Sequence, residues 1–291
     1  MKPRIAIIGV GRWGKNLLRE FNTVSDIAYC VHRGSKETQE WLTANYPDIT
    51  STSYDHVLAD VTVQAVVVAT PINTHFELAR RALEAGKHVF LEKPGCESRG
   101  ELSTLIQLAQ EKKRGLQIGY IFLHHPAFTY LKKHIADPIT SITCSWEKFG
   151  SFEEGIIQNL ACHEFSLLYG LKNIAPSHNT LLYMTPGISS GDSVGIRAEY
   201  SDGSSATLSI NRMSATKRKN LTIVTRDTLW FWEGTRVLTS THQKPYELVF
   251  EDSSSPLSCE CLEFVTMITT EPCILYGDVA LAVHDSLASL R

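Results

Sequence analysis

The sequence predicts a doubly wound α/β domain followed by a strand-rich α+β domain, and three observations carry that prediction. Through residue 120, short β-branched runs alternate with helical periodicities, the pattern of βαβ units built on a parallel sheet. Within that stretch, VQAVVVAT (63–70) is almost continuously apolar, which suits a strand covered on both faces. After Tyr120 strands follow strands, with turn residues between them. A length of 291 residues exceeds what one compact core usually covers, so the domains are placed at 1–120 and 121–291.

RIAIIGV (4–10) opens the first domain as a strand ending on glycine, and GKNLLREFNTV (14–24) sets Leu17, Leu18 and Phe21 at helical spacing. IAYCV (27–31) and KETQEWLTANY (36–46) repeat the strand and the helix. After the apolar run, HFELARRALEAG (75–86) gathers Phe76, Leu78, Ala79, Ala82 and Leu83 on one face, and Gly86 suits its C-terminal stop. HVFLE (88–92), a helix over 100–113 and LQIGY (116–120) complete the alternation. In the second domain PAFTYLKKHIA (126–136) and residues 156–171 are helical. SVGIRAEY (193–200) and SATLSIN (205–211) alternate across the turn SDGS as an antiparallel hairpin, and 220–234 reads as a second hairpin. The closing helix, 277–290, is a candidate to pack back on the first domain.

Composition narrows the function classes. Hydrophobic residues make up 43% and charged residues 20%, as in an ordinary globular protein. A net charge of −3 gives no electrostatic case for nucleic acid or an anionic membrane surface. The chain enters its first strand without a targeting pattern, and its apolar runs are too short to span a bilayer. The seven cysteines form no C-x-x-C pair and no zinc spacing, so reduced thiols, a cytoplasmic setting and no metal site are expected.

GVGRWG places Gly9, Gly11 and Gly14 in a G-x-G-x-x-G pattern between a strand and a helix, with Arg12 and Trp13 inside it. Gly9 permits the tight turn, Gly11 lets backbone approach a pyrophosphate, and Gly14 allows close helix–strand packing. The helix N-terminus then offers N–H groups to the phosphates, as in a Rossmann dinucleotide site. At the end of the second strand, where an acidic residue would hold the ribose of NAD, the chain has His32, Arg33, Gly34 and Ser35. Arg33 and Ser35 suit a 2′-phosphate, so the cofactor leans to NADP, with NAD as the alternative in which Arg33 stacks or faces solvent.

The stretch VVVATPINTHFELARRALEAGKHVFLEKP (66–94) resembles the Gfo/Idh/MocA oxidoreductases, which carry A-T-P-x-x-x-H, A-L-x-A-G-K-H-V and E-K-P in this order. That resemblance implies a Rossmann domain, then a domain built on a large open, mostly antiparallel sheet, with substrate and nicotinamide meeting between them. It gives Lys93 a place beside the nicotinamide, with Pro94 aiming it and Glu92 holding the ammonium or contacting the cofactor. Thr70, Pro71 and Asn73 fall in the loop beside the pyrophosphate and ribose, and His75 is either part of that site or a structural helix start. Relatives have D-x-x-x-H on a helix facing the nicotinamide, and Asn159 and His163 occupy those positions here. Ser166 lies on the same stripe, expected to face away from the apolar core.

Asn159 cannot take up a proton as an aspartate can, so proton transfer is expected to rest on His163, with Lys93 as partner or alternative. The resemblance therefore implies an NAD(P)-dependent dehydrogenase or reductase of carbohydrate metabolism. It would act on a secondary carbinol or ketone of a sugar, polyol or nucleotide-linked sugar. Tyr120 and His125 are candidate substrate contacts. Two other readings stay open: a non-catalytic cofactor-binding sensor or accessory subunit, which Asn159 invites, and a reductase of imines or conjugated double bonds. The open sheet favours a homodimer or higher homo-oligomer.

Overall fold

The structure, a computed structural model, describes residues 2–150, 152, 154–242 and 244–290. It contains two compact units, one formed by the chain up to Ile121 together with Leu257–Leu281, the other by Phe122–Pro256 with the chain from Ala282 onward.

In the first unit β1 (Arg4–Ile8), β2 (Asp26–Val31), β3 (Thr50–Ser51), β4 (Ala65–Val68), β5 (His88–Glu92) and β6 (Leu116–Gly119) form one parallel sheet in the order β6-β5-β4-β1-β2-β3. Ile274–Leu275 adds a further parallel strand beyond β6. The order reverses between β1 and β4, the switch point outside which α/β sheets bind ligands. Five helices connect the strands: α1 (Gly14–Val24), α2 (Lys36–Asn45), α3 (Tyr54–Ala59), α4 (His75–Glu84) and α5 (Arg99–Lys112). β3 and α3 carry too few residues to show a period, and the sequence reading has neither.

All four residues of β4 are buried, as its unbroken apolar run requires. α5 starts on a capping box in which Ser98 accepts from the Glu101 N–H and Glu101 reaches back, an arrangement worth about 1 kcal/mol. Phe21, Phe90 and Phe264 meet edge to face at 5.5–5.8 Å in the core. Phe264 comes from Pro256–Thr269, a helix to which the sequence reading assigns no element.

The second unit carries β7 (Ser141–Phe149), β8 (His178–Thr185), β9 (Ser193–Glu199), β10 (Ser205–Asn211), β11 (Met213–Val224), β12 (Thr228–Glu233), β13 (Arg236–Thr241) and β14 (Lys244–Glu251) in one sheet. The order is β14-β13-β12-β11-β7-β10-β9-β8, antiparallel throughout except for the parallel pair β7 and β10. Both expected hairpins are present, with Glu199 opposite Ser205 and Asn220 opposite Glu233. Period-two burial of Ile142, Cys144 and Trp146 on β7, and of Ala206, Leu208 and Ile210 on β10, defines the covered face. Helices α6 (Pro126–His134) and α7 (Cys162–Lys172) belong to this unit, and the closing helix, Gly277–Ala288, is divided between the two units at Ala282.

The helix expected over 156–171 begins with a π turn, Ile157–Ala161, before continuing as α7. Here the expected cleft-facing stripe is corrected. Ser166 is fully buried and its Oγ donates to the His163 carbonyl at 2.7 Å. Cys162, Phe165, Leu167 and Leu168 spread apolar surface around the whole helix, so α7 is covered on nearly every side rather than on one.

Among the described residues, no helix is long and apolar enough to cross a membrane, and no cluster of three His, Cys, Asp or Glu side chains is placed to hold a metal ion.

Candidate functional site

The nucleotide half is built at the C-terminal ends of β1, β4 and β5. Gly9 takes φ +98°, and a Cβ on Gly14 would stand 1.9 Å from the Gly9 carbonyl oxygen, so neither position tolerates a side chain. A Cβ on Gly11 would meet nothing within 4 Å. That open approach to bare backbone at the start of α1 is what a pyrophosphate needs, so the loop fits a dinucleotide. Arg12 and Trp13 extend from the loop, and the Trp13 indole N–H donates to the Glu92 carboxylate, tying the glycine turn to the end of β5.

Beside the loop, a groove of about 460 Å³ is lined by Arg12, Lys15, Arg19, Glu37, Thr38 and Trp41. Lys15 Nζ lies 4.7 Å over the Trp41 ring. Among the described residues no acidic side chain is paired with Arg12, Arg19 or Arg33. The neighbouring polar groups are already engaged. His32 Nδ1 accepts the Gly34 N–H at 3.0 Å, which places its proton on Nε2, near Gln39 and Ser51. Ser35 caps α2, its Oγ accepting the Thr38 N–H at 3.2 Å.

The loop after β4 folds on its own side chains. Thr70 and Thr74 hydroxyls meet at 2.7 Å, Thr74 Oγ1 donates to the Pro71 carbonyl, and Asn73 is exposed. His75 is 2% exposed, with Nε2 2.8 Å from the Thr70 carbonyl and Nδ1 2.9 Å from that of Gly95. Burial lowers its pKa while the two carbonyls pull it back up. The structure thus uses His75 as a strap between the loop at 70–75 and the turn after Pro94.

Lys93 is half-buried at the end of β5, and a cis peptide joins it to Pro94. Its backbone N–H donates to Glu92 Oε2 at 3.2 Å. Glu92 is pushed up to about 7 by burial, against the pull of Trp13 and Lys93. Glu260, from Pro256–Thr269, is fully buried and is pushed well up by burial and by the Glu92 carboxylate. No sequence signal marks Glu260, because its relation to β5 arises from residues 168 positions apart, given by Glu92 and Glu260.

In the second unit Asn159 sits half-buried in the π turn, with its backbone N–H on the Gly155 carbonyl at 2.9 Å. His163 is 8% exposed, and its ring packs edge-on against Phe122 at 5.2 Å and Trp146 at 5.6 Å. Its Nδ1 is buried. His125 caps α6, Nδ1 accepting the Ala127 N–H at 3.2 Å, and burial lowers it to about 4. Tyr120, of the first unit, has no exposed surface. The segment entering the π turn is held by Arg212, whose Nη1 donates to the Glu154 carbonyl at 2.6 Å. Arg212 and Asp192 form a buried pair at 2.8 Å, with Ser189 bonded to both.

Residues 3–120 match an oxidoreductase family with an NAD-binding Rossmann fold, Gfo/Idh/MocA. The chain is 35% identical over 130 residues to UDP-N-acetylglucosamine 3-dehydrogenase of Acidithiobacillus ferrooxidans, a match that spans 45% of this chain and 41% of that relative. The structure of the same enzyme superposes with a TM-score of 0.90 over 99% of this chain and 96% of that one, at 23% identity. GenD2 from gentamicin A biosynthesis, solved in complex with NAD, gives a TM-score of 0.84 at 20% identity, over 99% of this chain and 93% of that one. At these identities the superpositions speak for the fold alone.

Proposed function

Residues 3–120 match the Gfo/Idh/MocA oxidoreductases, and from that premise we propose that the chain is a member of that family and moves hydride between NAD(P) and a secondary carbinol or ketone of a sugar, polyol or nucleotide-linked sugar. The observation that carries the reading is the end of β5, where Lys93 follows a buried Glu92 tied to the glycine loop. Gly9, Gly11 and Gly14 would receive the pyrophosphate, with Thr70, Pro71 and Asn73 forming the wall next to it. The bound nicotinamide supplies the hydride donor or acceptor.

The chain's own residues handle the proton. Lys93 Nζ would donate to the reacting oxygen and polarise it, and His163 would take the hydroxyl proton in oxidation or return it in reduction. Because Nδ1 is buried, Nε2 is the nitrogen for that traffic. Asn159 orients the imidazole or the substrate, since an amide holds no exchangeable charge. For the cofactor, the arginines without acidic partners at 12 and 33 and the groove at α1 favour NADP through its 2′-phosphate. The edge strand β8 leaves Leu182, Tyr183 and Met184 exposed at 51%, 43% and 40%, which supports a homo-oligomer that covers them.

Purified protein is expected to bind NADPH more tightly than NADH, with Arg33→Ala narrowing the difference by roughly tenfold. Lys93→Ala and His163→Ala are expected to lose at least about a hundredfold in kcat against a sugar and nucleotide-sugar panel, with cofactor binding retained. Full activity of His163→Ala would remove its proton role. Bound cofactor with no turnover of any carbinol would favour a sensor or accessory subunit.

A further inference from the structure

The second unit buries an ion pair directly behind His163. Glu164, the next residue of α7, is bonded to Lys219 of β11, and their side chains are 2% and 12% exposed. Register explains the placement, because Lys219 stands opposite Trp146 and Leu221 opposite Cys144 on the covered face. Lys219 is therefore the charged exception in a row continued by Leu221 and Ile223. Lys219 Nζ sits 4.2 Å from the Trp146 ring centroid and 4.3 Å from that of Phe122. Those are the two rings against which His163 packs.

Taking two charges out of water costs several kcal/mol per ion, and apolar side chains of similar size usually serve packing as well or better. Packing alone gives no reason for a lysine here. An ammonium over two ring faces does what an aliphatic chain cannot, because its attraction depends on the ring planes. Glu164 then fixes where the ammonium stands. We propose that Glu164 and Lys219 are positioning residues for the chemistry at His163: the pair pins the planes of Phe122 and Trp146, and the two rings hold the imidazole in one orientation. The proposal rests on the reading of His163 as the proton-handling group.

The test is the double variant Glu164→Gln with Lys219→Met, which leaves no unpaired charge in the interior. Its kcat is expected to fall by roughly tenfold or more while KM stays within about twofold, as a misoriented acid–base group requires. Lys219→Arg, which keeps the ion pair and the contact with the rings, is expected to retain most of kcat. In the protein without substrate, the His163 ring protons of the double variant are expected to move from the chemical shifts that Phe122 and Trp146 impose in the wild type. Wild-type kcat together with unchanged His163 resonances in the double variant overturns the proposal. If His163→Ala is fully active while those resonances still move, the proton-handling reading fails and the pinning stands. Should the double variant not fold, Phe122→Leu removes one ring and leaves the ion pair, and an unchanged kcat there overturns the proposal equally.

Discussion

The two units fix their candidate site residues by different means. In the first, backbone does it: a glycine at φ +98°, and carbonyls at Thr70 and Gly95 that clamp His75. In the second, buried side-chain pairs do it: Arg212 with Asp192 ahead of the π turn, and Lys219 with Glu164 behind His163. Backbone devices are local and tolerate few residue types. Ion-pair devices join residues 20 and 55 positions apart in the chain, and either partner alone is a liability. The two should therefore break differently, the first by adding a single carbon and the second by removing a single charge.

The largest effect is expected at Arg212. Arg212→Met leaves Asp192, with no exposed side-chain surface, as an uncompensated buried charge. A loss of about 3–5 kcal/mol is expected, measured by urea denaturation. Replacing both partners, as Arg212→Met with Asp192→Leu, should recover much of it; equal losses in the single and double variants would show that packing and not charge is at stake. Gly14→Ala comes next. A methyl placed 1.9 Å from the Gly9 oxygen must push the turn away from α1, costing about 1–3 kcal/mol. NADPH binding, followed by fluorescence, should be lost with it. Wild-type affinity in that variant would show that the loop relaxes freely and is no cradle.

A third test probes the buried carboxylate that joins the two loops of the first unit. Burial raises Glu92 from 4.5 to about 7, so the folded protein holds a proton that the unfolded chain gives up. The stability this contributes is fully present below about pH 4.5 and is lost as pH rises through about 7. Glu92→Gln keeps an acceptor for Trp13 and removes the titration. Across that window wild type should lose stability relative to the variant. A difference that stays flat with pH would mean that Glu92 ionises as freely in the fold as outside it.

How much of this could be read from the residues follows the same division. The glycine turn, the apolar β4 and the E-K-P strand end are local patterns whose spacing is their geometry, so the parallel sheet and the loop residues were legible. So were both hairpins, because alternation and SDGS are local too. Pro256–Thr269 was not, since its mixed CECLEF run gives no clean helical face, yet it supplies Phe264 and Glu260 to the first unit. Glu164 and Lys219 lie 55 positions apart, and nothing in either neighbourhood announces the other. Ser166 departs from the expected stripe because α7 has cover nearly all round and not on one face.

The smallest expected effect lies where a local pattern allows two meanings. Ser35 follows Arg33 in the stretch that favours a 2′-phosphate, but its Oγ accepts the Thr38 N–H and donates to Thr38 Oγ1 at 2.7 Å. As a helix cap, Ser35→Ala should cost about 1 kcal/mol. That corresponds to a fall of about 2–4 °C in Tm for a unit of this size. A hydroxyl already committed to α2 has little left for a phosphate, so affinities for NADPH and NADH should fall together, each less than about threefold. A selective loss of NADPH would show instead that the cap opens when the 2′-phosphate arrives. The cofactor preference would then rest on Ser35 as well as Arg33.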